Sequence, residues 1–90
     1  MIEVTKWEDV SFVISSSYRK KILSKLGSPK TPTTLSHELE INKTHISRGL
    51  NELEQRKIIK CLTPESNKGK LYVISEYGKK VLAKSLEIKK

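Results

Sequence analysis

TPTTLSHELEINKTHISRGLNELEQ, residues 31–55, reads as two short helices joined by a tight turn. On a helical wheel with Ile46 at zero, Leu50 and Leu53 fall within about 40°, one apolar stripe. Directly opposite stand Thr44, Arg48, Asn51 and Gln55, and no acid sits among them. Their hydroxyl, guanidinium and amide groups suit base edges and phosphates in a nucleic-acid groove. The turn is Glu40-Ile41, and Asn42 is placed to cap the second helix. Ile41 before the cap and Ile46 four positions into the helix form a hydrophobic staple, which sets the angle of that helix.

Upstream, Thr31 caps the first of the two helices, and Pro32 occupies its first turn, where a missing N–H costs nothing. Leu35 and Leu39 supply its inward side. Residues 7–27 form an N-terminal helical segment. In it Trp7, Val10, Val13 and Ile14 have helical spacing, Ser15-Ser16-Ser17 offers a break and a new cap, and Tyr18, Ile22 and Leu26 recur every four residues. Gly27-Ser28-Pro29 stops that segment, with Gly27 expected in the C-terminal cap role. A minimal strand between Pro29 and Pro32 can pair with a later hairpin.

Downstream the period changes. Residues 58–62, IIKCL, and 71–74, LYVI, are β-branched and apolar runs, joined by the polar loop TPESNKGK, residues 63–70. That pattern predicts a hairpin over residues 58–75. Ser75 then caps a final helix over residues 76–88, with Tyr77, Val81 and Leu82 on its apolar face. The whole chain, residues 1–90, thus reads as one domain, mainly α with a small β-hairpin (α+β).

Composition narrows the partners. The net charge of +8 is uneven: residues 1–41 hold six Lys/Arg against five Asp/Glu, residues 42–70 seven against three, and residues 71–90 five against two. The basic excess begins with the second helix of the opening stretch, as a polyanion-binding surface requires. Cys61 is the only cysteine, which excludes an intramolecular disulfide and a cysteine-rich metal site. Its expected role is that of a small hydrophobe in a strand. His37 and His45 lie on different helices without companion ligands, so no metal and no cofactor is expected. There is no glycine-rich phosphate loop, acid pair or nucleophile triad, and the chain is not expected to be an enzyme. No signal-peptide pattern and no apolar run of membrane-spanning length occurs, which points to a cytoplasmic protein without a membrane partner.

Three motifs together carry a resemblance. YRKKILSKL (residues 18–26), TPTTLSHELEINKTHISRGLNELEQRKII (residues 31–59) and KGKLYVISEYGKKVL (residues 68–82) resemble, in order and spacing, the winged helix-turn-helix domain of MarR- and ArsR-type transcriptional regulators. Ile46-Ser47-Arg48, Leu50, Leu53-Glu54 and Ile58-Ile59 stand where the family pattern S-x-x-T-V-S-R-x-L-x-x-L-E-x-x-G-L-I has its fixed residues. The chain departs from the families at two turns, where Glu40 and Lys57 replace the usual glycine.

The expected function is sequence-specific binding of double-stranded DNA, with helix 43–56 in the major groove and the wing 63–70 on the backbone or minor groove. Thr44, Ser47, Arg48 and Asn51 are the expected base-reading residues, Arg48 foremost as a bidentate partner of guanine. Thr31, Thr33, Lys43, His45, Gln55, Asn67, Lys68 and Lys70 are expected on the DNA backbone. An alternative for Arg48 is a surface pair with Glu52 one turn on. A homodimer is expected, because one helix reads only a few base pairs, and Trp7, Phe12, Leu82, Leu86 and Ile88 are its candidate contacts. The rival classes are a winged helix used for protein contact within a larger transcription assembly and a non-specific architectural DNA binder.

Overall fold

The computed structural model describes residues 5–65 and 69–87. Among these, the order is α1 (Trp7–Ile14), α2 (Ser17–Lys25), α3 (Pro32–Leu39), α4 (Lys43–Gln55), β1 (Ile59–Cys61), β2 (Tyr72–Ile74) and α5 (Glu76–Glu87). The N-terminal segment is therefore two helices. Ser16 separates them, with extended backbone and a side chain that accepts a hydrogen bond from the Arg19 N–H. Thr31 and Asn42 cap α3 and α4 in the same way, accepting from Thr34 N–H at 3.1 Å and Thr44 N–H at 2.8 Å.

The apolar stripes converge on one core. Ile46, Leu50 and Leu53 of α4 are buried with Ile22, Leu23 and Leu26 of α2, Leu35 of α3, and Val10 and Val13 of α1. Ile41 is buried in the same core as Ile46, as the staple requires. Gly49 lets α2 and α4 approach closely, since a Cβ there would lie 2.8 Å from Ile22 Cδ1. On the far side α1 packs against α5, whose Val81 completes the core.

β1 and β2 pair antiparallel, with Lys60 opposite Val73. Lys30 forms an isolated antiparallel bridge to β2, giving its N–H to the Tyr72 carbonyl and accepting the Tyr72 N–H, both at 2.9 Å. The strands are shorter than the apolar runs that predict them, and Leu62 beyond β1 is exposed.

Three expectations about individual residues change. Tyr18 leaves the apolar stripe of α2 and is exposed, and Trp7, 65% exposed, stands outside the core that Val10 and Val13 enter. Gly27 is not a left-handed cap: among the described glycines only Gly69 has positive φ. The left-handed positions fall instead on Glu40 (φ 55°) and Lys57 (φ 64°), the two places where the chain lacks the expected glycine. At the second, Ile58 N–H reaches the Leu53 carbonyl and Lys57 N–H the Glu54 carbonyl, a Schellman closure of α4. At the first, Ile41 N–H reaches the Ser36 carbonyl.

The left-handed conformation costs a non-glycine residue about 1–2 kcal/mol, part of which glycine loses again through its more flexible unfolded chain. Glu40→Gly and Lys57→Gly are each expected to stabilise the fold by about 0.5–1 kcal/mol. Urea denaturation of the two variants checks this, and a loss of stability in both contradicts the turn geometry.

Candidate nucleic-acid interface

α4 has two sides. Ile46, Gly49, Leu50 and Leu53 face the core, while Lys43, Thr44, His45, Ser47, Arg48, Asn51 and Gln55 are exposed. From Thr44 to Asn51 the axis advances about 10 Å, the height of roughly three base pairs. All four expected base-reading residues therefore lie on one exposed surface, and Lys43, His45 and Gln55 border it. Thr33 is exposed on the first turn of α3, while Thr31 is half-buried with its hydroxyl engaged in the cap. Lys70 is exposed where the wing returns to β2, next to Gly69. Asn67 and Lys68 lie outside the described residues, as does Ile88.

The pairing of Arg48 with Glu52 is not formed. Glu52 Oε1 instead accepts from Nε of Arg19, 33 residues earlier on α2, at 3.1 Å. Arg19 is held by three further contacts: its Nη1 donates to the Phe12 carbonyl at 2.9 Å and to Ser15 Oγ at 3.1 Å, and its guanidinium carbon lies 3.7 Å from the centre of the Phe12 ring. Among the described residues Arg48 has no hydrogen bond or ion pair. Its charge faces outward uncompensated.

His45 stacks on Tyr18, ring centres 5.1 Å apart and planes inclined by 16°. Tyr18, Arg19, Ser16, His45, Arg48, Gly49 and Glu52 line a cleft of about 320 Å³ between the start of α2 and the outer side of α4. Tyr18 and Arg19 were not expected here. No local period signals them, because their partners are 27 and 33 residues away in sequence.

A second polar cluster ties the end of α4 to α1 and α5. Asp9, 6% exposed, accepts from Arg56 Nη1 at 2.9 Å and from the Tyr77 hydroxyl. Arg56 also lies over the Phe12 ring, 4.0 Å from its centre. Phe12 and Leu82, expected at a dimer contact, are thus half-buried within their own chain. Trp7 on α1 and Leu86 on α5 (61% exposed) remain solvent-facing. Among the described residues no group of three or more His, Cys, Asp or Glu is arranged to hold a metal, and no helix is long and apolar enough to cross a membrane.

The helices α2, α3 and α4, the paired hairpin and the closing α5, with α1 packed on α5, define a winged helix-turn-helix fold. Solved structures share it. MarR of E. coli superposes with a TM-score of 0.73 at 17% identity, covering 89% of this chain and 64% of that one. A transcriptional regulator from Thermotoga maritima gives 0.70 at 23%, covering 89% and 61%. A single-residue variant of ZitR from Lactococcus lactis, solved in complex with DNA, gives 0.67 at 19%, covering 80% and 51%. The chain spans between half and two thirds of the length of these neighbours. No family model matches the sequence, and no curated protein matches it.

Proposed function

We propose that the chain is a DNA-binding transcriptional regulator that reads double-stranded DNA with α4 in the major groove. The observation that carries this reading is the outer surface of α4. It offers hydroxyl, amide and guanidinium groups without an acid among them, and its one arginine is unpaired while the nearby Glu52 is tied to α2. In this reading Thr44, Ser47, Arg48 and Asn51 face base edges. Lys43 and His45, with Thr31, Thr33 and Gln55, meet phosphates, and Lys70 with Asn67 and Lys68 brings the wing to the adjacent backbone. Support also comes from the fold neighbour that was solved on DNA.

The protein acts as a homodimer in this reading. Trp7 and Leu86 project from α1 and α5, two helices packed on each other, and supply apolar surface that the core of a single chain leaves uncovered. A two-fold pair would place two copies of α4 on successive major-groove faces of a palindromic site.

Selection of bound sequences from a random duplex pool tests both parts. The expected result is a palindromic motif with half-sites of about three base pairs, one helical turn apart. The logarithm of affinity for the selected duplex should fall linearly with the logarithm of salt, with a slope of about −2.7 per chain if Lys43, Lys68 and Lys70 each neutralise one phosphate. Failure to bind any duplex at about 50 mM salt, where phosphate contacts are strongest, overturns the reading.

A further inference from the structure

We propose that Arg19 is a positioning residue for DNA reading: it holds Glu52 on α2 and so leaves Arg48 free. The inference rests on the DNA-binding reading of α4. Glu52 lies one turn after Arg48 on the same helix, the spacing at which an acid and an arginine pair on a helix surface. A carboxylate released there has two effects. It competes with the DNA for the Arg48 guanidinium, and it brings negative charge to the edge of a surface that meets phosphates. Arg19 prevents both through the 3.1 Å contact from its Nε. The Phe12 ring, the Phe12 carbonyl and Ser15 Oγ fix the guanidinium from its other sides, so the hold is built into the junction between α1 and α2. Arg19 and Glu52 line the same cleft as Arg48.

Two kinds of measurement test this. Without DNA, the Nε–Hε NMR signal of Arg48 is followed as Glu52 is replaced. Glu52→Gln should leave it in place in the wild-type background and shift it in an Arg19→Gln background, where Glu52 has moved to Arg48. A shift already present in the wild-type background overturns the proposal. With DNA, a duplex of about 30 base pairs carrying the selected motif is titrated with each variant. Arg19→Gln should bind about twofold more weakly, the strength of one surface pair of this spacing. Adding Glu52→Gln should restore wild-type affinity, whereas adding Glu87→Gln, which restores the same net charge at the end of α5, should not. Equal rescue by both reduces the effect to net charge and overturns the proposal. Should Arg19→Gln fail to fold, the two glutamine substitutions are compared in the wild-type background. Equal affinities support the proposal, and tighter binding by Glu52→Gln alone contradicts it. If the wild-type protein binds no duplex, the reading of α4 falls, and the NMR comparison still decides whether Arg19 keeps Glu52 from Arg48.

Discussion

Gly78→Ala is expected to destabilise the protein by about 3 kcal/mol, the upper end of what overpacking a core costs. A Cβ at this position would lie 1.9 Å from the Ile58 carbonyl oxygen, 2.9 Å from the Ile58 carbonyl carbon and 2.8 Å from Ile74 Cγ1. The first two are backbone atoms and cannot turn aside as a side chain does. Nor can the carbonyl move freely, since it accepts Ser75 N–H at 3.0 Å and the Ser75 hydroxyl at 2.8 Å. Ser75 Oγ in turn accepts the Gly78 N–H at 2.9 Å, which closes the first turn of α5 onto the entry to β1. Relief of the clash therefore requires α5 to leave the hairpin, and with it the packing of Val81 and the Asp9–Tyr77 bond. For a domain of this size the loss corresponds to a fall in Tm of about 15 °C. Gly27→Ala is the control. Nothing lies within 4 Å of its Cβ position and its φ is not positive, so stability should stay within about 0.5 kcal/mol of the wild type. Urea denaturation of the pair decides the matter, and equal midpoints would show that α5 does not sit on Ile58 as described.

What the sequence reveals and what it hides follow from the range of the interactions. The seam Ile46–Leu50–Leu53, the caps at Thr31, Asn42 and Ser75, and the change from helical to extended pattern after Lys57 are local patterns, and each appears in the structure, the strands shorter than the apolar runs. The strained turns at Glu40 and Lys57 were legible only through the family resemblance, which puts glycine at the two places where this backbone turns left-handed. Gly49 and Gly78 are different. Their roles depend on a second element coming within contact distance, and a lone glycine in a helix carries no mark of that. The polar connections are hidden for the same reason. Asp9 finds Arg56 and Tyr77, 47 and 68 residues away, and Arg19 finds Glu52 across α2 and α4. Tyr18 shows how a true period can mislead. It keeps the four-residue spacing of Ile22 and Leu26, yet it stands at the first turn of α2, beyond the core, and stacks on His45.

Arg48→Ala is expected to weaken binding to the selected duplex by about 1–3 kcal/mol for each half-site, roughly five- to 150-fold per half-site, the worth of a bidentate arginine–guanine contact. Because the side chain is exposed and has no partner among the described residues, the substitution should leave the circular dichroism spectrum and urea midpoint unchanged. The loss should also have a position. Duplexes altered one base pair at a time should reveal a single pair per half-site to which the variant has become indifferent, while discrimination elsewhere persists. Arg48→Lys separates charge from geometry: lysine keeps the charge but loses the planar fork, so it should retain binding to random duplex and lose the preference at that one pair. Lys70→Ala should behave in the opposite manner, weakening all duplexes alike and reducing the magnitude of the salt slope by about 0.9. Uniform weakening across sequences by Arg48→Ala would assign the residue to the phosphate backbone. Unchanged affinity would take the outer surface of α4 off the DNA, because an exposed arginine at its centre, without an ion pair among the described residues, would then have no counterpart.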